Sequence, residues 1–138
     1  MATVHNLIDY VTIASTGNSS DFGDLTVARD SAPTGVTNGT RGAFGGGTGG
    51  SPSANQDVID YINIASTGNA SDFGNLTDAR AYARGNSDGT KGVWAGGDSS
   101  PVTNIIDYIN VASTGNASDF GDLLGSYETG GAASGSAS

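Results

Sequence analysis

The stretch that decides the fold is IDYINIASTGNASDFGNLT, which runs from Ile59 to Thr77. Two close copies flank it: IDYVTIASTGNSSDFGDLT from Ile8 to Thr26, and IDYINVASTGNASDFGDLL from Ile106 to Leu124. The tyrosines of the three copies are separated by 51 and then by 47 residues. Repeats of this length are typical of solenoids and propellers. The repetition therefore predicts one structural unit used three times.

Each copy contains Asp-Phe-Gly, the motif whose aspartate binds magnesium under ATP in protein kinases. A kinase also needs a catalytic loop with an HRD motif, a strand lysine and a Gly-rich phosphate loop, and the sequence contains none of these. A catalytic metal loop is needed once per active site, whereas this one occurs three times. We therefore interpret these segments as structural turns, with the phenyl rings as buried anchors. The rings are those of Phe22, Phe73 and Phe120.

Besides the DFG strand, three other types of strand are predicted in each unit. The IDY segment has apolar side chains on both faces, as Val58 and Ile59 illustrate, which predicts a strand between two layers. A second type is RGAFGG from Arg41 and KGVWAGG from Lys91. It ends in glycines that allow close backbone approach and positive φ: Gly45, Gly46, Gly96 and Gly97. Residues 26–36 and 77–88 leave room for one more short strand, so four strands fill about 50 residues, the size of a propeller blade.

These segments resemble kelch repeats, in which an apolar strand closes on a Gly-Gly pair and is followed by a strand with Tyr, an aromatic residue and then an Arg. The best copy runs from Val93 to Gly97 and continues through Tyr108 to Phe120. The repeat sequence is similar to the kelch-like repeats of structural proteins from marine and cyanobacterial phages. The resemblance implies an all-β propeller domain over residues 1–127, with copies at about 1–40, 41–90 and 91–127. A tail rich in Gly, Ala and Ser occupies 128–138.

Composition narrows the function. The chain has 138 residues, of which 25 are Leu, Ile, Val or Phe, so the core must be thin and shared. A net charge of −9 disfavours binding to nucleic acid or to anionic membranes. The absence of cysteine excludes disulfides, and the one histidine, His5, makes a zinc or histidine-based catalytic site improbable. We expect no enzymatic activity and no nucleic-acid or membrane partner.

The order of strand types predicts that the chain begins in the middle of a blade and holds about two and a half blades. Propellers close with roughly 4 to 8 blades, so one chain cannot complete a ring. We expect the chain to associate with copies of itself. Residues 124–138 of one copy would complete the N-terminal half blade of another, giving a ring of two or three chains or an open fibre.

Each candidate ligand site also has a structural interpretation. Asp9, Asp60 and Asp107 lie beside apolar residues, so we expect them to pair with arginines such as Arg29 and Arg80 rather than to bind a ligand. Calcium is the sharper alternative for the loop oxygens, although no known calcium-loop spacing is met and no cofactor is expected. Trp94 is a possible sugar contact, with a core role favoured. The loop oxygens considered for calcium belong to Asn69, Ser71 and Asp72, and the tyrosines of the repeat are Tyr10, Tyr61 and Tyr108.

The resemblance implies a structural or adhesive component of a phage particle, such as a tail fibre, tail tip or decoration protein, that contacts itself and other virion proteins. A lectin that binds surface glycans, or a subunit of an extracellular filament, is the alternative. The start of the sequence shows no export signal, and the expected location is the virion or the extracellular space.

Overall fold

The computed structural model describes residues 4–31, 33–50, 54–128 and 131. These residues form twelve β-strands and no helix. The strands are β1 (His5–Tyr10), β2 (Ser20–Asp30), β3 (Thr34–Thr37), β4 (Arg41–Gly45), β5 (Thr48–Gly49), β6 (Ala54–Asn55), β7 (Val58–Asn63), β8 (Ser71–Asn75), β9 (Arg84–Ser87), β10 (Lys91–Ala95), β11 (Ile105–Asn110) and β12 (Ser118–Asp122). The all-β prediction is confirmed.

The strands pair into three antiparallel sheets of four strands each. The second sheet has the order β3-β4-β7-β8, and the third has the order β9-β10-β11-β12. In both, the four strand types succeed one another along the chain: the short strand, the Gly-Gly strand, the IDY strand and the DFG strand. The predicted four-stranded unit is therefore present twice in full.

The first sheet differs because the described chain enters it at the IDY strand. Its order is β1-β2-β5-β6, in which β1 and β2 are the IDY and DFG strands of the first copy. The far end of β2 pairs with the short β5-β6 hairpin, which is inserted between β4 and β7 of the second sheet: Arg29 lies opposite Gly49, and Asp30 lies opposite Thr48. The first copy thus supplies only its IDY and DFG strands to this sheet, and the β5-β6 hairpin supplies the other two.

A register shift recurs in each IDY strand between the Ile and the Asp. Such a bulge lets two consecutive residues escape strict alternation between faces. Ile59 and Asp60 are accordingly both fully buried, at 0% exposure. The aspartate side chain is thus buried at the boundary between one sheet and the next.

The core lies between the second and third sheets. Trp94 fills its centre at 0% exposure, and its ring Nε1 donates to Thr34 O at 3.0 Å. Tyr and Phe rings meet edge to face in each copy, at 5.8 to 5.9 Å between centroids. Phe22 and Phe73 are buried as predicted, whereas Phe120 is 57% exposed. The prediction of a buried anchor was wrong for Phe120, because no fourth sheet covers it among the described residues.

The end of the described chain folds back onto the third sheet. Gly97 N donates to Tyr127 O at 2.9 Å, and Arg84 Nη2 donates to Glu128 O at 3.0 Å. Residues 124–128 therefore add no strand to any sheet. Most of the tail predicted at 128–138 lies outside the described residues, so its part in completing a blade stays a prediction.

Candidate interaction site: the repeated junction between sheets

The first junction joins the first sheet to the second through a buried ion pair. Arg29 Nη2 lies 3.0 Å from Asp60 Oδ2, and both side chains have no exposure. Thr26 donates to the same carboxylate through its backbone N at 3.3 Å and through its hydroxyl. Burial lowers the pKa of Arg29, and the charge of Asp60 opposes that shift. Asp60 is thus held by three donors from the preceding copy.

Arg29 also ties the two sheets together through backbone groups. Its Nη2 donates to Phe44 O at 3.0 Å, and its Nη1 donates to Val58 O at 3.2 Å. A guanidinium has five N–H groups in a planar fork, so it can bind a carboxylate and two carbonyls at once.

The second junction repeats this arrangement between the second and third sheets. Arg80 Nη2 lies 2.9 Å from Asp107 Oδ2, again with no exposure of either side chain. Thr77 donates to Asp107 through its backbone N at 3.0 Å and its hydroxyl at 2.5 Å. Arg80 Nη2 also reaches Trp94 O at 3.2 Å. Burial lowers the pKa of Arg80, chiefly opposed by Asp107. The pairing predicted for Asp60 and Asp107 is confirmed.

A second set of contacts joins each DFG strand to the STGN loop of the next copy. At the first junction, Gly68 N donates to Phe22 O at 2.7 Å, and Ala70 N donates to Asp24 O at 2.8 Å. Asn69 Oδ1 accepts from Asp24 N at 3.1 Å. Two backbone bonds and one bond to a side-chain amide therefore join the two sheets here.

The second junction makes the same three bonds at nearly the same lengths. Gly115 N to Phe73 O is 2.8 Å, Ala117 N to Asn75 O is 2.8 Å, and Asn75 N to Asn116 Oδ1 is 3.1 Å. The DFG strand of one copy therefore binds the STGNAS loop of the next copy.

The glycines of the first two DFG segments are required by this contact. Gly23 and Gly74 have φ of 148° and 146°, and a Cβ added to either would lie 2.4 Å from the carbonyl oxygen of Gly68 or Gly115. Gly121 has φ of 138°, yet a Cβ there would meet nothing within 4 Å. The third DFG segment is shaped for a loop that the described chain does not supply.

One open end of the array lies on the first sheet. We define the head face as Asp9, Gly17, Asn18 and Ser19, the residues that correspond to Asp60, Gly68, Asn69 and Ala70 at the first junction. The Asp9 side chain is exposed and accepts a long hydrogen bond, 3.5 Å, from Ser19 Oγ. The arginine pairing predicted for Asp9 was wrong, because no copy precedes β1 within the described residues. The neighbouring apolar side chains are exposed: Leu7, Tyr10, Val11 and Ile13.

The other open end lies on the third sheet. We define the tail face as Phe120, Gly121, Asp122, Leu124 and Tyr127, the residues that correspond to Phe22, Gly23, Asp24, Thr26 and Arg29 at the first junction. Leu124 stands where the earlier copies have the junction threonine, and Tyr127 stands where they have the junction arginine. Leu124 is fully exposed, and Phe120 and Tyr127 are more than half exposed. The tail face thus keeps the backbone groups of a junction and lacks its ion-pair partner.

Other candidate residues have structural roles. Trp94 is enclosed in the core, so the sugar contact considered for it is corrected: a ligand cannot reach the ring. In the first Gly-Gly strand the glycines with positive φ are Gly46 and Gly47, which correspond to Gly96 and Gly97. Gly45 is instead a strand residue pressed against the Trp94 ring, where a Cβ would come within 2.8 Å.

The STGN loop oxygens considered for calcium are engaged at least in part, since Asn69 Oδ1 serves the first junction. Within residues 4–31, 33–50, 54–128 and 131, no group of three or more His, Cys, Asp or Glu side chains is placed to hold a metal ion. In the same part of the chain, no helix has the length and apolarity needed to cross a membrane.

Comparison with known proteins adds no family to this description. No protein-family model matches the chain, and no curated protein matches it. The repeated junction is therefore the observation from which function is argued.

Proposed function

We propose that this protein is a non-enzymatic structural or adhesive component that builds a modular array of sheets. The carrying observation is that two successive junctions reuse the same buried Thr-Arg-Asp cluster, the same two backbone hydrogen bonds and the same bond from a backbone N–H to an asparagine side chain. Repeat proteins in which each unit contacts its neighbours through one type of interface can be extended by adding units. The repeated residues form the contacts between sheets, and this supports a structural role.

We further propose that the sheets are blades of a kelch-like propeller. Support comes from the second and third sheets, each of which has four antiparallel strands in chain order, and from the Gly-Gly, Tyr, Phe and Arg positions of the kelch pattern. The three described sheets are fewer than the roughly 4 to 8 blades of a closed propeller, so assembly with further copies would complete a ring.

By its resemblance to repeats of phage structural proteins, we propose a virion or extracellular setting, with other virion proteins as further partners. Fibre, tip and decoration proteins share the requirement that the array supplies: a rigid surface built from one repeated contact. Once Trp94 is assigned to the core, no observation favours the sugar-binding alternative.

The test is a mass measurement over a range of concentrations, combined with negative-stain electron microscopy. We expect particles larger than one chain that are closed rings or filaments with a regular repeat. A compact monomer at every concentration would contradict the assembly proposal.

A further inference from the structure

We infer that the tail face of one chain docks on the head face of a second copy, by the same backbone contacts that form the two internal junctions. This inference rests on the proposed assembly and specifies its interface. The occupant is a second copy because both halves of the contact are present on one chain, and both are open.

The atoms that would meet are given by the register of the internal junctions. Gly17 N would donate to Phe120 O, and Ser19 N would donate to Asp122 O, as Gly68 and Ala70 do at the first junction. Asn18 Oδ1 would accept from Asp122 N, as Asn69 does. The loop would pack over Gly121. This glycine has no Cβ, so it leaves room for the loop, as Gly23 and Gly74 do in the internal junctions.

Burial of apolar surface favours the same docking. Phe120 is 57% exposed, whereas its counterparts Phe22 and Phe73 are 8% and 2% exposed because the next copy covers them. Docking would bring Phe120 toward the same state, and removal of apolar surface from water stabilises such contacts. The Leu124 side chain on the same face would also leave water.

The copy-to-copy junction differs from the internal ones in its polar cluster. Asp9 would keep the backbone N of residue 124 as a donor, but Leu124 has no hydroxyl and Tyr127 offers a phenol in place of a guanidinium. A buried carboxylate with fewer donors is held less favourably. The contact between copies is therefore the weak, reversible link in an array whose internal links contain ion pairs.

A first experiment compares Ser19→Pro with Ser19→Ala by analytical ultracentrifugation. Proline removes the Ser19 N–H that the interface uses, whereas alanine is the residue found at this position in the other two copies. We expect Ser19→Ala to associate like the parent, and Ser19→Pro to associate at least about tenfold more weakly, which corresponds to the loss of one buried hydrogen bond. Equal association of the two variants would overturn the inference.

Asn18→Ala provides a second reading if Ser19→Pro does not fold. Asn18 is exposed and makes no hydrogen bond to another described residue, so its truncation should leave the fold intact. Its Oδ1 is an acceptor only between copies. We expect weaker association with unchanged thermal unfolding of the dilute protein, and unchanged association would count against the inference.

A gain-of-function variant tests the polar cluster. Leu124→Thr combined with Tyr127→Arg restores the donors of the internal junctions, and we expect association at least about tenfold tighter than that of the parent, since coupling of close charge pairs commonly exceeds this. Asp9→Asn in the same chain should remove most of the gain. A gain that is absent, or that is indifferent to Asp9→Asn, would overturn the inference.

Crosslinking tests contact directly, because the chain contains no cysteine. Asn18→Cys and Asp122→Cys are made in separate chains and mixed under mild oxidation, with Asp88→Cys replacing Asp122→Cys as the control. We expect the mixed disulfide to form faster in the first mixture, since the corresponding residues at the first junction, Asp24 and Asn69, are in hydrogen-bond contact. Equal rates would overturn the inference.

Failure of this interface and failure of the proposed assembly give different results. If the parent associates, and neither Ser19→Pro nor the Leu124 and Tyr127 changes alter it, the assembly stands and this interface is wrong. If the parent and the gain-of-function variant are both monomeric at every concentration, both proposals are wrong.

Discussion

At the scale of single residues, the buried arginine explains why each junction is specific. Arg80 makes an ion pair with Asp107 and a hydrogen bond to Trp94 O, yet its Nε and Nη1 have no hydrogen-bond partner among the described residues. Desolvating two charges offsets much of their attraction, and here the guanidinium is incompletely satisfied. The pair therefore selects the correct register between sheets more than it adds net stability.

This view predicts a difference between single and double substitutions. Arg80→Met should lower the free energy of unfolding by about 3 to 5 kcal/mol, because Asp107 stays buried without its counter-ion. The double variant Arg80→Met with Asp107→Leu should recover most of that loss. Urea unfolding monitored by the fluorescence of the single Trp measures both. A double variant no more stable than Arg80→Met would contradict this account.

The DFG glycines supply a matched pair at the same scale. Ala at position 74 or 121 forces a residue with a side chain into a φ that favours glycine, but only at 74 would the new Cβ meet a backbone oxygen, at 2.4 Å. We expect Gly74→Ala to cost about 1 to 3 kcal/mol more than Gly121→Ala in dilute solution, the usual range for overpacking. Thermal unfolding at low protein concentration measures the difference. Equal costs would show that the second junction can relax.

At the scale of elements, much of the fold is predictable from the sequence. The IDY, DFG and Gly-Gly strands and the short strand β9 lie at the segments predicted for them, because turn residues and glycines bound each one. The first copy departs from the prediction: β2 continues to Asp30, and the short strand β3 ends at Thr37, beyond the predicted residues 26–36. The arginine partners of Asp60 and Asp107 were also predictable, since a carboxylate beside apolar residues needs a donor.

Other features were not predictable because they depend on contacts between distant segments. The role of the STGN loop as the partner of the preceding DFG strand has no local signal beyond its repetition. The β5-β6 hairpin consists of two-residue strands, and β5 pairs with the far end of β2, which is distant in sequence. Exposure of Phe120, Leu124 and Tyr127 depends on whether another unit covers the third sheet, which local sequence does not encode.

The hairpin turns between the first two strands of each full sheet give a pH-dependent prediction. Asp88 Oδ1 accepts from Thr90 N and Lys91 N at 2.8 and 2.7 Å, and the bond from Lys91 N is the main reason why its pKa is lowered from 3.8. Asn38 accepts the two equivalent bonds in the second sheet. The two turns therefore differ mainly in whether the acceptor titrates.

A carboxylate whose pKa is lower in the folded state stabilises the fold above its unfolded pKa, and this contribution is lost as pH falls through the folded pKa. Asp88→Asn should therefore reduce the fall in the unfolding temperature on acidification below about pH 4. Asn38→Asp, the reciprocal change, should increase that fall. Thermal unfolding between pH 7 and pH 2.5 measures both, and identical pH profiles for the two variants would contradict the assignment.

At the scale of the whole molecule, the described residues form an array of sheets with two uncovered ends. The second sheet is covered on both sides, whereas the first and third each expose a face that resembles the covered ones. Stability in such arrays is roughly the sum of unit and junction contributions, so the same substitution has different effects inside and at an end. Self-repulsion of chains with a net charge of −9 acts against the copy-to-copy contact, and salt should therefore favour association.

The two phenylalanines at equivalent positions test this asymmetry. Phe73→Ala should cost about 3 to 5 kcal/mol at any protein concentration, because the ring is buried within one chain. Phe120→Ala should cost much less in dilute solution, where 57% of the side chain is exposed.

Binding of a partner to the folded state adds stability that grows with partner concentration. The parent should therefore unfold at a higher urea concentration as protein concentration rises, and Phe120→Ala should weaken that dependence while Phe73→Ala keeps it. A parent whose unfolding midpoint is constant from micromolar to millimolar concentration would show that the tail face stays uncovered.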